Sequence, residues 1–207
     1  MTILALDRST DTQSAALARN GRVVGRVFAG LDARAADWPV KVRDFLADEG
    51  LSVADVDEIL VGQGPGSFAG IRAALAFAQG LALPAGKPVV GLPSTLAFAH
   101  AGERIAVVGD ARRDRFWVVV YDGVRTVRDF TLVTKETLAC AVPDGCAVVT
   151  PDGARIEPLL KTVFAENYKG SATPLAADLA AIAVAHPDLL RPEPLPIYLQ
   201  PAVRPAS

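Results

Sequence analysis

Two short segments carry side chains able to hold a metal–nucleotide or another anion. Asp7, Ser9, Thr10 and Asp11 follow the first apolar run, and Asp110, Arg112, Arg113 and Asp114 follow a second. Carboxylates and hydroxyls at strand ends suit a magnesium ion and its nucleotide. Arg112 and Arg113 suit an anion, or simply a neighbouring carboxylate on the surface. Neither segment contains glycine, and Arg8 stands where a phosphate-binding turn wants a small residue, so backbone amides would be kept away from phosphates. A third segment, Gly64-Pro65-Gly66-Ser67-Phe68-Ala69-Gly70-Ile71-Arg72, offers amides at a strand-to-helix junction. It lacks the lysine and hydroxyl of G-x-x-x-x-G-K-[ST] and does not spell G-x-G-x-x-G. A tight turn that needs small residues for close packing is its plainer account.

Other chemistry finds less support. His100 and His186 are the only histidines, no H-E-x-x-H occurs, and no Ser-His-Asp set is recognisable, so neither a metal set nor a nucleophile is nominated. Cys140 and Cys146, with five residues between them, match neither a zinc knuckle nor C-x-x-C and are expected to be buried free thiols.

The elements that position these residues follow a repeated order. Ile3 to Asp7 reads as a strand, Gln13 to Arg19 and Arg22 to Ala29 as a hairpin turning at Asn20-Gly21, and Ala36 to Glu49 as a helix stopped by Gly50. Ser52 and Asp55 form a capping pair before a strand over Glu58 to Gln63. Helix Phe68 to Leu83, strand Val89 to Leu92 and a Ser94-capped helix to about Ala101 come next. In the second half, strands cover Ile105 to Asp110, Arg115 to Tyr121 and Val124 to Val133, with the turn at Asp122-Gly123. A short helix capped by Thr134, a strand Cys146 to Thr150 and helices Ala154 to Phe164 and Ala176 to His186 complete it. Asp7-x-x-x-Asp11 and Asp110-x-x-x-Asp114 each precede a strand and a turn glycine at nearly the same distance, which predicts a duplication. The expectation is two α/β lobes, 1–102 and 103–207, the second smaller and carrying the C-terminal helix and tail, with the Asp-bearing loops facing a cleft.

Helix Phe68 to Leu83 is apolar on nearly all sides, with only Arg72 and Gln79 clearly polar. Such a helix needs cover on both sides, and a partner helix is the economical cover, full burial under Ala36 to Glu49 being the alternative. Composition fits a globular chain: of 207 residues 51% are hydrophobic and 21% charged, and the net charge of −2 makes any nucleic-acid role a shared one. The longest uncharged run, Pro88 to Gly102, has 15 residues and falls short of a bilayer span; with no signal-like start, a cytoplasmic location is expected.

The runs Ile3-Leu4-Ala5-Leu6-Asp7 with Ser9-Thr10, Val61-Gly62-Gln63-Gly64-Pro65-Gly66-Ser67-Phe68-Ala69-Gly70-Ile71-Arg72, Asp110-Ala111-Arg112-Arg113 with Phe116-Trp117, and Pro194-Leu195-Pro196-Ile197-Tyr198-Leu199 resemble the TsaB (YeaZ) family. Its members are bacterial subunits involved in making threonylcarbamoyladenosine on tRNA. The resemblance implies an actin-like ATPase (ASKHA) fold and a non-catalytic, activating role beside TsaD, the paralogue that transfers the threonylcarbamoyl group. TsaD's metal-binding histidines have no counterpart at Leu31 to Val42. It further implies a homodimer in isolation, a complex with TsaD that recruits the ATPase TsaE, and tRNA contact through that complex. No tightly bound cofactor is implied, ATP or ADP with Mg entering only with the partners. The partner contact would fall on Trp38, Val42, Phe45, Phe68, Ile71, Arg72, Leu75 and Gln79. Arg8 and Ala69 each replace the family's usual Thr, and Trp38-Pro39 lies inside the first helix, moving its start to Trp38. The competing enzyme class is a small phosphotransferase or glycoprotease-type metallohydrolase of the same fold; a self-associating interaction module is a third possibility.

Overall fold

The computed structural model describes residues 1–28, 37–99 and 103–199. The chain forms two compact units, the first made of Met1–Ala97 with Pro174–Ile197, the second centred on Phe98–Thr173.

The first unit is built on a six-stranded mixed sheet. Strands β1 (Thr2–Asp7), β2 (Gln13–Arg19) and β3 (Arg22–Phe28) form an antiparallel meander. The turn from β2 to β3 has Asn20 and Gly21 at φ 52° and 77°, the left-handed pair that a two-residue hairpin requires. On the other side of β1, β4 (Glu58–Gly62) and β5 (Val89–Leu92) run parallel to it, and β11 (Arg191–Pro192) closes that edge. β1 is buried along its whole length because strands flank it and helices cover both sheet faces. On one face α1 (Trp38–Asp48) and α2 (Phe68–Ala82) bury Trp38, Val42, Phe45, Ile71, Ala74 and Leu75 against Leu4, Leu6, Ile59 and Val61. Pro39 sits in the first turn of α1, where its missing N–H is no loss, and the helix starts at Trp38 as expected. Ala36, the sequence-based start, lies outside the described residues, as do Ala101 and His100. The Ser52–Asp55 pair forms: the Ser52 amide and hydroxyl both donate to Asp55 Oδ2, at 2.8 and 2.7 Å.

The other face is covered by α5 (Ala176–Ala185), which corrects the expectation that the C-terminal helix belongs to the second unit. The Ser14 hydroxyl accepts the Ala176 amide at 2.9 Å, satisfying an orphan donor at the helix start. Gly25 on β3 leaves room for Ala177: a Cβ there would stand 2.8 Å from that of Ala177. Helix and sheet meet through small residues far apart in the chain, a contact no local pattern announces.

The second unit repeats the topology. β6 (Arg104–Arg112), β7 (Arg115–Asp122) and β8 (Arg125–Thr134) form the meander; β9 (Ala147–Thr150) and β10 (Tyr168–Ser171) add parallel strands beyond β6. The order β10-β9-β6-β7-β8 reproduces β5-β4-β1-β2-β3, so the duplication read from the paired Asp-x-x-x-Asp runs is a property of the fold. The four-residue α3 (Leu138–Ala141) and α4 (Gly153–Phe164) pack on one face around Val108, Val118, Val148 and Leu160. β10 has no counterpart in the sequence-based elements: four residues containing Lys, Gly and Ser carry no apolar run.

Gly25→Ala is expected to destabilise the chain by about 1–3 kcal/mol through overlap with α5. Ala177→Gly in the same chain should recover part of that loss in urea unfolding. Strict additivity of the two changes would show that α5 does not pack there.

Candidate functional site

Asp7 ends β1 fully buried. Its Oδ1 accepts the Ser9 amide at 2.8 Å and the Ser9 hydroxyl at 2.7 Å, and its Oδ2 accepts the Ser94 hydroxyl at 2.5 Å. Ser94 in turn accepts the Gly64 amide at 3.0 Å, so one serine ties the loop after β4 to the carboxylate. No cation is paired with Asp7 among the described residues. Burial therefore lifts its pKa above the ordinary 3.8, an effect that the hydrogen bonds from Ser94 and Ser9 oppose without cancelling.

The loop Gly64–Ser67 and the start of α2 lie directly on this turn. The Ser67 amide donates to the Ser9 carbonyl at 2.7 Å, and the Ser67 hydroxyl caps α2 by accepting the Gly70 amide at 3.2 Å. A Cβ on Gly66 would stand 2.0 Å from the Ser9 oxygen, and one on Gly70 2.1 Å from the Arg8 oxygen. The glycines are there for backbone contact: amides free in an anion-binding turn are here committed to the chain itself. Thr10, half-buried, accepts the Thr12 amide at 3.2 Å. The expected nucleotide-loop residues Asp7, Ser9 and Thr10 are thus brought together, as a hydrogen-bonded turn sealed by a glycine loop.

The corresponding turn of the second unit is electrostatically different. Asp110 accepts Arg155 Nε at 2.9 Å, lies 3.5 Å from Arg112 Nη1 and accepts the Arg112 amide at 2.7 Å, while its own amide donates to Asp152 at 2.9 Å. Arg155 also bonds Asp152. Arg112, Arg113 and Asp114 adopt φ of 66°, 56° and 56°, a strained, exposed hairpin tip of non-glycine residues. Arg112 takes the carboxylate-pairing role, and Arg113 stays exposed. Arg155 and Asp152 escaped sequence reasoning, since nothing local marks a helix arginine as the partner of a strand-end carboxylate.

The expected partner-contact residues divide in two. Trp38, Val42, Phe45, Ile71 and Leu75 are sealed in the first unit's own core, each at most 6% exposed, which corrects their assignment to a contact surface. An arginine at Leu75 would break the fold before any complex. Phe68, Arg72 and Gln79 do lie on the outer face of α2, joined by Ala69, Ala76, Gly80 and, just beyond the helix, Leu83. Phe68 is 41% and Leu83 83% exposed, and the Arg72 guanidinium lies over the Phe68 ring at 3.5 Å. Between α1 and α2 an apolar groove of about 370 Å³ runs past Val40, Leu46, Phe77 and Leu81. Phe68–Ala85 has a mean hydropathy of 1.3 and is long and apolar enough, on composition alone, to cross a membrane. Its inner side is nonetheless engaged by the core around β4 and β1. Of the thiols, Cys146 is buried and Cys140 exposed, which corrects the expectation for the latter. Among the described residues no group of three or more His, Cys, Asp or Glu side chains gathers as a metal set.

This geometry, a duplicated mixed-sheet unit with its first strand-end turn sealed by glycines, has clear relatives. The family model of TsaD, tRNA N6-adenosine threonylcarbamoyltransferase, matches residues 35–185. The solved structure of YeaZ from Pseudomonas aeruginosa superimposes with a TM-score of 0.75 at 28% identity, covering 96% of this chain and 99% of that one. The tRNA threonylcarbamoyladenosine biosynthesis protein TsaB of Haemophilus influenzae is 34% identical over 134 residues, 61% of this chain and 57% of its own. An uncharacterized protein of Mycobacterium tuberculosis is 36% identical over 131 residues, 61% of this chain and 62% of its own. The chain belongs to the TsaD-type family, in its TsaB/YeaZ branch, and has the mixed α/β fold of that group. It spans about three fifths of the length of these curated relatives.

Because the folded-state pKa of Asp7 lies above 3.8, the native protein holds that proton more tightly than the unfolded chain. The stabilisation is full below 3.8 and is lost as pH rises through the interval up to the raised value. Asp7→Asn should remove this component, so the stability difference between wild type and variant should change across that interval and flatten above it. A difference independent of pH would show that Asp7 titrates as an exposed carboxylate does.

Proposed function

We propose that this chain is a non-catalytic, cytoplasmic subunit of the assembly that makes threonylcarbamoyladenosine on tRNA, and that it supports a TsaD-type transferase by docking through the outer face of α2. The observation that carries this is the stripe of Phe68, Ala69, Arg72, Ala76, Gln79 and Gly80 on a helix whose opposite side is already satisfied by its own unit. Ala69, Ala76 and Gly80 let a second helix approach closely, while Phe68 and the neighbouring Leu83 supply apolar area that water would otherwise cover. The stripe contains no acidic residue, and Arg72 is its single charge.

The sealed turn at Asp7 supports the non-catalytic half of the proposal: amides that would hold a nucleotide's phosphates are bonded to Ser9 or capped by Ser67. The role of the TsaB relatives of Haemophilus influenzae and Escherichia coli in tRNA threonylcarbamoyladenosine biosynthesis supports the pathway. In this reading the same stripe serves a homodimer when the transferase is absent, TsaE joins the assembled complex, and tRNA and ATP are handled there.

Ala76→Arg tests the docking face with a residue exposed in the isolated chain. Its thermal midpoint should stay that of wild type, while affinity for a purified TsaD-type transferase, followed by light scattering and calorimetry, should fall at least about tenfold. Unchanged affinity would remove α2 from the contact. ATP turnover by the isolated chain above background would overturn the non-catalytic assignment.

A further inference from the structure

Arg8 is a buried cation with no anion paired to it among the described residues. It continues the face of β1 that carries Leu4 and Leu6 into the core beneath α1 and α2, and it retains 7% exposure. Its guanidinium stacks on the Trp38 ring, 4.8 Å from the centroid. Among the described residues it forms no ion pair, and its Nε is enclosed with no acceptor. The indole Nε1 of Trp38, itself 1% exposed, is likewise enclosed with no acceptor. The nearest carboxylate along the chain, Asp7, is on the opposite face of β1 and is committed to Ser9 and Ser94. Gln13, one position beyond the Asp7–Ser14 pair, is a further buried polar side chain at the same end of the sheet.

Two stacked side chains thus present unsatisfied N–H donors, one of them charged, at one place in the core. A buried polar group without a partner costs free energy, and a buried unpaired charge costs more. Burial also pulls the guanidinium's pKa down from its ordinary value. A single acceptor group lodged against both side chains relieves all of these costs at once. The guanidinium fork matches an oxyanion, planar or tetrahedral, in its donor spacing, and indole Nε1 adds one more neutral donor. The long arginine stem lets the fork turn towards an entering group.

We propose that Arg8 and Trp38 form a binding site for a small oxyanion, of the carboxylate or phosphate class, beneath the first turn of α1 and on the opposite face of β1 from Asp7. The site does not depend on the docking face of α2.

The protein has two tryptophans, Trp38 and Trp117, which makes the indole N–H resonances a direct reporter with an internal control. Inorganic phosphate, and separately acetate, is titrated into the ¹⁵N-labelled full chain at constant ionic strength. The Trp38 resonance, assigned with Trp117→Phe, should move saturably while that of Trp117 stays in place. Arg8→Lys keeps the charge but loses the fork, and should weaken the response about tenfold; Arg8→Gln should abolish it. If Arg8→Gln does not fold, the lysine variant and the wild-type titration still decide. A Trp38 resonance that does not move, that drifts without saturating alongside Trp117, or that titrates equally in Arg8→Lys would overturn the site.

Discussion

Asp7 ends the central strand of the first sheet fully buried, and among the described residues no cation pairs with it. It is held there by two hydroxyls and one amide, and a Cβ on Gly62 of the adjacent strand would collide with its carboxylate. Ser94 has to be delivered from the end of β5 to complete this shell, and the loop after β4 has to turn sharply enough to offer Ser94 the Gly64 amide. The same loop then runs so close to Arg8 and Ser9 that Gly66 and Gly70 admit no side chain. The start of α2, and with it the direction of that helix over the sheet, follows from this backbone contact. A family whose fold is shared with a transferase here uses its strand-end carboxylate to hold the chain together.

α2 shows how one helix serves two environments. Its inner positions Ile71, Ala74, Leu75 and Ala78 meet a core supplied by the sheet and by α1, where each buried aliphatic group contributes roughly a kcal/mol per methylene. Its outer positions Phe68, Ala69, Arg72, Ala76, Gln79 and Gly80 are exposed, and most of them are small or apolar. An ordinary surface helix would place charged residues there, and only Arg72 is one. The departure from that pattern is the physical ground on which the docking proposal rests.

The duplicated units diverge at equivalent points. After β1 the carboxylate is buried and hydrogen-bonded by the hydroxyls of Ser9 and Ser94; after β6 it is paired with arginines nearer the surface, with Arg155 bridging Asp110 and Asp152. The two units share a topology because the strand order and the hairpins depend on patterns that tolerate such exchange, whereas the strand-end chemistry is free to differ.

Periodicity and turn residues determined most of the fold. Alternating and continuous apolar runs placed nine of the strands, Asn20-Gly21 and Asp122-Gly123 marked the β2–β3 and β7–β8 hairpins, and the paired Asp runs exposed the duplication, because these signals act over a few residues. β10 and β11 escaped, being too short and polar to leave a pattern. The inward or outward direction of each position on α2 was not legible either: a helix apolar all round shows no preferred face until a sheet is laid against it, so Leu75 and Phe68 read alike although one is core and the other surface. Tertiary structure alone decided that α5 returns to the first sheet through Ser14 and Gly25, that the Ser67 amide of the glycine loop bonds the Ser9 carbonyl, and that Arg155 answers Asp110. Each of these is a contact between residues distant in the chain, set by where the backbone brings small groups, hydroxyls and charges together, and no local run of residues encodes it.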